Sequence, residues 1–293
     1  RERKMKKHRK KIIIGVIGLL LLIYVGVNGY LVNYAFVRDS ASLGASAPKK
    51  AELLKKDQAW LTQTKQQTWT EKSADGKLTL KARYVPAKKA TNETIVIAHG
   101  YRENSLRMAS YIRMFHDLGY NVLAPDDRGA GRSEGHYITF GWQDRLDYQN
   151  WLKQLIAKKG QDSKIGLFGV SMGGATVMMM SGEKLPKQVK VIVEDCGYSS
   201  INEELGTQLS AQFGLPKEPI LTTASWMAHP FIGFNFKNGS ATEQLKQNKL
   251  PTLFIHGSKD SFVPTEMVYE NYQASAGKKE LWVVKGAAHG MSY

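Results

Sequence analysis

The sequence predicts an α/β fold: a mostly parallel, doubly wound sheet with an N-terminal hairpin and a helical cap, preceded by a transmembrane helix. Segments typical of strands and of helices alternate repeatedly, and the strands are continuous apolar runs such as TIVIAHG. Runs of this kind are typical of parallel strands that helices cover on both faces. A separate uncharged apolar run extends from Ile12 to Val32, which is long enough to cross a bilayer.

The N-terminus combines a basic segment with this apolar run. Residues 1–11 hold eight Lys or Arg and one Glu, and so supply +7 of the formal net charge of +15. As a helix, residues 12–32 would extend about 31 Å, close to the hydrocarbon thickness of a bilayer. The positive-inside rule keeps residues 1–11 in the cytoplasm. We therefore predict a single-pass protein of the cell membrane, with 12–32 as a signal anchor and the remainder extracellular.

Three tyrosines lie toward the end of the apolar run, where interfacial aromatics are enriched: Tyr24, Tyr30 and Tyr34. A cleaved signal peptide is the alternative to an anchor, but Ala45-Ser46-Ala47 comes about a dozen residues later than a usual cleavage site. A lipoprotein would need a Cys there, and the single Cys is Cys196. A buried soluble helix would show a polar face. The basic segment is explained by the spanning run, so we predict no nucleic-acid partner.

Residues 33–67 are predicted to form a linker and a leading helix. Four apolar residues recur there at helical spacing: Leu53, Leu54, Trp60 and Leu61. A globular domain is predicted over residues 68–293. It begins with two alternating segments around Asp75-Gly76, a strong signal for a β-hairpin.

Strands and helices then alternate through the domain. The predicted strands are TIVIAHG, YNVLAPDDRG, KIGLFGV, VKVIVEDCG, PTLFIHG and KELWVVKG. The predicted helices are LRMASYIRMFHDLG, GWQDRLDYQNWLKQLIAKKG, GGATVMMMSGEKL and TEMVYENYQASAG. Ligand sites in such sheets lie at the carboxyl ends of the strands. The residues that follow each strand are therefore the candidates for a functional site.

A serine, an aspartate and a histidine follow three different predicted strands. Ser171 comes after KIGLFG, Asp260 after TLFIHG and His289 after ELWVVKGAA. A serine hydroxyl needs a base to take its proton, and the histidine base needs a carboxylate to hold its tautomer. We predict Ser171 as the nucleophile of acyl transfer, His289 as its base and Asp260 as the acid. Asp195, after VKVIVE, is an alternative acid.

Glycines surround the serine in Gly169-Val170-Ser171-Met172-Gly173. A serine on a sharp strand-to-helix turn needs neighbours without side chains, because the two arms pack closely. The backbone N–H of Met172, at the helix start, is then placed to bind an oxyanion. A second N–H must come from the loop after TIVIA, where Tyr101 is the best candidate.

Other polar residues at strand ends have structural explanations. Residues 126–128, Asp-Asp-Arg, are predicted to hold a tight Gly-rich turn through hydrogen bonds and an ion pair. His99 and His256, each before a Gly, are predicted to hold loops. Residues 178–180, three Met, are predicted to lie in the core rather than in an acyl pocket. No His, Cys, Asp and Glu show metal-ligand spacing and no glycine loop cradles phosphate, so we predict no metal and no cofactor.

Residues 199–248 interrupt the alternation and are predicted to form a cap over the site. They contain more apolar surface than a solvated loop needs. We predict that six of these side chains line an acyl or apolar side-chain pocket, with packing of the cap as the alternative: Trp226, Met227, Phe231, Ile232, Phe234 and Phe236.

From about Thr68 to His289 the sequence resembles the α/β-hydrolases. Five motifs occur in the family's order: HGYREN, DDRGAGRS, GVSMGG, HGSKDSFVP and AAHG. More narrowly, the chain is similar to the membrane-anchored cell-surface serine hydrolases of Gram-positive bacteria, which are grouped with serine aminopeptidase-like hydrolases. Its single cysteine, which allows no internal disulfide, fits an exported bacterial protein.

The resemblance implies the same site residues. It assigns Ser171 as nucleophile, His289 as base, and Tyr101 and Met172 as oxyanion donors. It favours Asp260 as the acid over the alternative, because Asp-x-x-Val-Pro after His-Gly matches the family pattern. Family members usually continue past the histidine with another helix that packs on the sheet, so either the sequence extends beyond Tyr293 or this helix is missing.

The predicted function is that of a membrane-tethered serine hydrolase, most simply a carboxylesterase acting on short or medium acyl esters. A peptidase that removes N-terminal residues is the alternative enzyme, and Glu203, Glu204 or Asp195 could hold its substrate's amine. A haloalkane dehalogenase would carry Asp in place of Ser171. A surface binding protein on the same fold is the alternative outside enzymes, and the complete Ser, Asp and His set argues against it.

Overall fold

A computed structural model of the chain describes residues 2–38 and 48–292. Within these residues, eight strands form one sheet: β1 (Gln67–Lys72), β2 (Thr79–Val85), β3 (Glu93–Ala98), β4 (Asn121–Asp126), β5 (Lys164–Val170), β6 (Val189–Asp195), β7 (Thr252–Gly257) and β8 (Lys279–Val284). The described helices are α1 (Glu2–Phe36), α2 (Pro48–Gln63), α3 (Ala109–Asp117), α4 (Asp144–Lys159), α5 (Met172–Met180), α6 (Ile201–Phe213), α7 (Ile220–Ile232), a 3₁₀ turn (Phe236–Asn238), α8 (Ala241–Leu245) and α9 (Glu266–Ala274).

The sheet is mostly parallel, as the sequence predicted. Its spatial order is β1-β2-β4-β3-β5-β6-β7-β8. The hairpin strand β2 pairs antiparallel with both β1 and β4, and every other pair is parallel. The strand order reverses at β3, which lies between β4 and β5. Crevices at such reversals, outside the carboxyl ends of the strands, are the usual ligand sites of open α/β sheets.

Helices cover both faces of this sheet. On one face, α4 and α5 pack against the strands through residues such as Trp151, Leu155 and Met180. On the other face, α2 and α3 pack against β3, β4 and β5 through Leu61 and Ile112. Burial on both sides explains why the strands are continuous apolar runs.

The predicted domain boundary at residue 68 is too late in the chain. Helix α2 packs on α3, and the side chain of Leu61 is fully buried. Helix α1 continues beyond the predicted span of residues 12–32 to Phe36, and it buries that ring against Phe140 and Phe236. Residues 39–47, which include Ala45-Ser46-Ala47, lie outside the described residues.

Among the described residues, α1 is the helix long and apolar enough to cross a membrane, a property that a signal sequence shares. Its side chains from Ile12 to Ile23 are exposed. Two of the tyrosines that were predicted to lie at the membrane–water interface contact the protein instead. Tyr24 and Tyr34 hydrogen-bond to the cap, at Thr223 and Gln212 respectively.

The insertion between β6 and β7, for which a cap over residues 199–248 was predicted, is helical. It consists of α6, α7, the 3₁₀ turn and α8. Helix α7 packs along α1. The cap therefore contacts the N-terminal helix.

Candidate active site

Ser171 lies on a strained turn between β5 and α5. Its φ is 57°, a left-handed value that is unusual for a residue with a side chain. A Cβ on Gly169 would lie 2.0 Å from the carbonyl oxygen of Gly173, and one on Gly173 would lie 2.1 Å from that of Ala98. Glycine is therefore required at both positions by backbone contacts, which is the physical reason for the Gly-x-Ser-x-Gly pattern.

The structure brings Ser171, His289 and Asp260 into one hydrogen-bonded chain. The Nε2 atom of His289 lies 2.9 Å from the Ser171 hydroxyl oxygen, and its Nδ1 atom lies 2.7 Å from Oδ2 of Asp260. The three residues follow β5, β7 and β8, and are brought together because these parallel strands end at the same edge of the sheet. Along the chain, Ser171 lies 118 residues before His289, and Asp260 lies 29 residues before it.

Asp260 is held in the ionised form. Burial raises the pKa of its carboxyl, but hydrogen bonds from His256 and His289 and the charges of these rings outweigh that effect and bring the pKa to about 2. An ionised carboxylate only accepts hydrogen bonds, so Nδ1 of His289 carries the proton. In the neutral imidazole, Nε2 is then the acceptor for the Ser171 hydroxyl.

His256 makes a contact that the sequence did not predict. It holds its loop as expected, since Nε2 lies 2.9 Å from the carbonyl oxygen of Val263. The same nitrogen lies 3.3 Å from Oδ2 of Asp260. The backbone N–H groups of Phe262 and Val263 both donate to the other carboxylate oxygen at 3.0 Å. The motif HGSKDSFVP thus contains the carboxylate and most of the groups that hold it.

The alternative acid, Asp195, does not contact His289. Its carboxylate accepts a hydrogen bond from the Ser292 hydroxyl at 2.9 Å, and its backbone carbonyl accepts from the N–H of Ser171. Burial raises the pKa of Asp195. Its place beside the turn suits a role in holding the backbone there.

The two predicted oxyanion donors flank the serine. Met172 is the first residue of α5, and the first N–H groups of a helix have no partner within it. Tyr101 lies in the loop after β3, where a Cβ on Gly100 would be 3.7 Å from Cβ of Ser171. The Tyr101 hydroxyl donates to the carbonyl of Ala35, at the end of α1, at 2.7 Å. The N-terminal helix thus holds this loop in place.

An apolar cavity of about 330 Å³ opens at Ser171. This volume is at the lower end of the range of small-molecule pockets, about 300–1,000 Å³. Its wall on the side of the sheet comes from Tyr101, Phe140, Tyr198 and Phe262. Its cap wall comes mainly from Leu205, Leu209, Phe213, Ile220, Leu221 and Ala224. The remaining wall comes from the last turns of α1, at Leu31, Val32, Tyr34, Ala35 and Phe36.

The prediction for the cap residues was wrong for five of six. Of that set, only Phe236 lines the cavity. Ile232 and Phe234 are buried in the core, Trp226 and Phe231 are exposed, and Met227 is half-buried against α1. The cap residues that line the cavity instead recur with helical spacing within positions 201–213 and 220–224. This spacing is visible in the sequence, but the prediction selected mainly aromatic residues.

Glu204 places a carboxyl group in the wall of this cavity. It is buried, and burial, opposed by the hydrogen bond from Gln208, raises its pKa to about 8. Oε1 accepts from Gln208, whereas Oε2 has no hydrogen-bond partner among the described residues. Glu203 is exposed and pairs with Lys217 instead. Of the three acidic residues considered for an amine site, only Glu204 lines the cavity.

The other polar residues have the structural roles predicted for them. Asp126 accepts hydrogen bonds from the backbone of Ser105 and from Arg132, and Arg128 pairs with Asp147. His99 accepts from the N–H of Asp127 at 3.0 Å. The side chains of Met178, Met179 and Met180 are fully buried in the core.

One group of described side chains is close enough to hold a metal ion: the ligand atoms of Cys196, Asp260 and His289 lie within 4.8 Å of one another. Two of the three already belong to the chain that ends at Ser171. Burial keeps the pKa of the Cys196 thiol well above its usual range, and a protonated thiol is a poor metal ligand. The donor set therefore suits the hydrogen-bonded chain better than a metal.

Comparison with known proteins identifies a family-model match and several similar proteins. Residues 89–231 match the family described as "Serine aminopeptidase, S33". The "uncharacterized protein YqkD" of Bacillus subtilis (strain 168) is 30% identical over 203 residues, which cover 69% of this chain and 67% of that protein. The "lysophosphatidylserine lipase ABHD12" of Danio rerio is 25% identical over 206 residues, which cover 68% of this chain and 51% of that protein.

The solved structures similar to this fold include an esterase and a peptidase. The Pyrococcus furiosus esterase Pf2001 superposes with a TM-score of 0.63 at 25% identity, covering 87% of this chain and 90% of the esterase. The Pyrococcus horikoshii acylaminoacyl peptidase superposes with a TM-score of 0.58 at 18% identity, covering 79% of this chain and 39% of the peptidase. The second likeness concerns the fold alone.

Proposed function

Because the chain belongs to the α/β-hydrolases, we propose that it is a serine hydrolase that cleaves carboxylic esters, most simply a carboxylesterase for short or medium acyl chains. The observation that carries this proposal is the hydrogen-bonded chain from Ser171 through His289 to Asp260, at the wall of an apolar cavity. The cavity suits an acyl chain, and the serine lies where the ester carbonyl would meet it.

Acylation begins with attack of the Ser171 hydroxyl oxygen on the ester carbonyl. Its proton moves to Nε2 of His289, and the imidazolium is stabilised by the Asp260 carboxylate. The carbonyl oxygen becomes an oxyanion that accepts hydrogen bonds from the N–H groups of Tyr101 and Met172. Collapse of this tetrahedral species breaks the ester bond, and His289 returns the proton to the leaving alcohol.

Deacylation repeats the same steps with water. His289 takes a proton from a water molecule, whose oxygen attacks the acyl carbonyl on Ser171. The second tetrahedral species collapses, the carboxylic acid leaves, and His289 returns the proton to the serine oxygen. No cofactor takes part in either half of the reaction.

We place the enzyme on the cell membrane, with α1 as an uncleaved single-pass anchor and the hydrolase domain outside the cytoplasm. The basic residues 1–11 support this orientation. Retention of the helix is supported by its contacts. Cleavage after α1 would remove the carbonyl of Ala35 that binds Tyr101, and a wall of the cavity.

A peptidase is the second candidate, and Glu204 is the observation that favours it. A carboxyl group in the wall of the cavity could bind the ammonium of a peptide's N-terminus. Its pKa of about 8 means that the empty cavity holds a neutral acid at pH 7, which suits donation of a hydrogen bond to an ester or hydroxyl oxygen. An entering ammonium would have to displace that proton, so the ester remains the first candidate.

The test uses the full chain in detergent micelles, a fluorophosphonate probe and p-nitrophenyl esters of increasing chain length. Ser171→Ala should abolish labelling and lower kcat by about 10⁴-fold or more. Ser110→Ala is the matched control, because that hydroxyl lies on α3 and has no hydrogen-bond partner among the described residues. It should retain the labelling and turnover of the unaltered chain.

The outcomes separate the candidates. Labelling with ester turnover, both dependent on Ser171, supports the esterase. Labelling with turnover of aminoacyl p-nitroanilides but not of esters supports the peptidase. A folded chain that is neither labelled nor active contradicts both and leaves a binding protein on a hydrolase fold.

A further inference from the structure

The last turns of α1 form part of the cavity itself. Leu31, Val32 and Phe36 line it together with cap residues and Ser171. The side chain of Phe36 is almost fully buried, against Phe140 of the catalytic domain and Phe236 of the cap. The helix that would anchor the protein is therefore also a wall of the site.

Contacts with the cap extend farther up the same helix. The hydroxyls of Tyr24 and Thr223 lie 2.8 Å apart, and Leu31 packs with Ile220 and Leu221 of α7. The buried amide of Asn28 donates to the carbonyl of Tyr24. The Tyr24 hydroxyl and the Asn28 amide nitrogen therefore have partners inside the protein, as polar groups at membrane depth need, whereas the Asn28 Oδ1 atom has none among the described residues.

The length of the exposed part of α1 decides where the cap lies relative to a bilayer. Residues 12–23 are exposed, and at 1.5 Å per residue they rise only about 18 Å. The hydrocarbon core is about 30 Å thick. Residues 1–11 cannot supply the missing length, because their eight Lys or Arg would then have to enter the hydrocarbon core. A spanning α1 must therefore carry about 12 Å of its cap-bound part, from Tyr24 onward, into the membrane.

The cap surface next to α1 is suited to that position. Trp226 is 70% exposed, and it follows Thr223 by three residues, which places both on one face of α7. Phe231 is also exposed and packs on Tyr137. Tryptophan is enriched at membrane interfaces because its ring is both apolar and able to donate a hydrogen bond.

We propose that the substrate is a single-chain acyl ester resident in the outer leaflet, whose acyl chain enters the cavity from the membrane between α1 and the cap. This proposal rests on the proposed function, because Ser171 must be the group that the ester reaches. The cavity is apolar on the α1 side and small enough for one chain. The anchor helix is then a determinant of acyl-chain specificity, and not only a tether.

The first test changes the α1 wall. Val32→Phe puts a ring into the cavity, whereas Val25→Phe puts the same ring on a half-exposed position outside it. The full chain of each variant is reconstituted in phosphatidylcholine and phosphatidylglycerol vesicles. Turnover is measured on monoacylglycerols from butyryl to oleoyl, and Ser171→Ala gives the background.

We expect the unaltered chain and Val25→Phe to share one chain-length profile, with kcat/KM highest for the medium acyl chains of the series. Val32→Phe should lower kcat/KM for the oleoyl ester at least ten-fold more than for the butyryl ester. An identical profile for all three, with Ser171-dependent turnover intact, would overturn this proposal and leave the esterase standing. Loss of Ser171-dependent turnover on every ester and on the fluorophosphonate probe would overturn the proposed function, and this proposal with it.

The second test measures the depth of the cap without using activity, and so remains valid if Val32→Phe does not fold. The full chain is placed in vesicles whose phosphatidylcholine carries brominated acyl chains, which quench tryptophan fluorescence on contact. Trp226→Phe should remove most of the quenched fraction. Trp282→Phe, which removes an exposed tryptophan on β8, should leave it unchanged. Equal quenching in the unaltered chain and Trp226→Phe would place the cap outside the membrane and overturn the proposal.

Discussion

The hydroxyls of Tyr24 and Thr223 lie 2.8 Å apart, although the two residues are separated by 199 positions in the chain. One belongs to α1 and the other to α7 of the cap. This bond, with the packing around Leu31, joins the apolar N-terminal helix to the wall of the cavity at Ser171. The helix is therefore an element of the folded domain as well as a segment able to cross a membrane.

Removal of this bond should destabilise the cap. Tyr24→Phe leaves the Thr223 hydroxyl without its partner, and we expect a loss of about 0.5–1.5 kcal/mol in the free energy of unfolding. Thermal unfolding of the full chain in micelles measures the effect. Tyr30→Phe is the matched control, because the Tyr30 hydroxyl is exposed and has no hydrogen-bond partner among the described residues. Equal Tm values for both variants would contradict the prediction.

Two buried carboxylates follow neighbouring strands, and only one should matter for turnover. Asp260→Asn replaces the carboxylate that accepts from Nδ1 of His289, so the ring loses the partner that fixes its tautomer. We expect kcat to fall by about 10⁴-fold. Asp195→Asn keeps an oxygen for the Ser292 hydroxyl, and we expect less than about a ten-fold loss. Similar losses in the two variants, measured by ester hydrolysis, would argue against the assigned roles.

The turn at Ser171 should tolerate no side chain at Gly169. Gly169→Ala would place Cβ 2.0 Å from the carbonyl oxygen of Gly173, where only backbone could move away. We expect a loss of about 3 kcal/mol or more in stability, seen as a lower Tm and reduced fluorophosphonate labelling. Gly26→Ala on α1 is the control, because its Cβ meets nothing within 4 Å. A Gly169→Ala chain with unaltered Tm would refute the steric argument.

The pH dependence of stability should report the buried carboxyl of Glu204. Burial raises its pKa from 4.5 to about 8. Between these values the unfolded chain has lost the proton and the folded chain retains it, so this group lowers stability as pH rises and has no further effect above about 8. Glu204→Gln removes this dependence and keeps an acceptor oxygen for Gln208.

We therefore expect the Tm of Glu204→Gln, relative to the unaltered chain, to increase from pH 5 to pH 9. The gain at pH 9 should correspond to several kcal/mol, up to about 5 kcal/mol, since one pKa unit is worth about 1.4 kcal/mol. The exposed Glu203→Gln controls for the loss of a negative charge on the same helix. A difference in Tm between Glu204→Gln and the unaltered chain that is constant across this range would contradict the assignment.

Most of the fold could be predicted because its signals are local. The continuous apolar strands, the Asp75-Gly76 hairpin and the cap insertion all occur where the sequence placed them. The glycines around Ser171 could be interpreted in the same way, because a sharp turn restricts side chains within a few residues of itself. Because parallel strands end at one edge of the sheet, the predicted strand order also brings Ser171, Asp260 and His289 together at that edge.

The rest depended on packing between distant segments. Hydrophobicity predicted that the cap would be apolar, but not that Trp226 would be exposed while Leu205 and Leu209 line the cavity. Which face of a cap helix turns inward is set by its partner, and here one partner is α1. The contact of His256 with Asp260 was hidden for a similar reason, since two residues of one loop meet only after the loop closes.

The sequence by itself determined the class of fold, the spanning length of the apolar helix and the order of the three residues at the strand ends. Each depends on periodicity, composition or short spacing, which the backbone expresses locally. Tertiary structure decided that Asp260 rather than Asp195 meets His289, and that α1 closes the cavity at Ser171. These outcomes depend on where whole elements pack, because burial of their apolar faces selects neighbours that lie far apart in the chain.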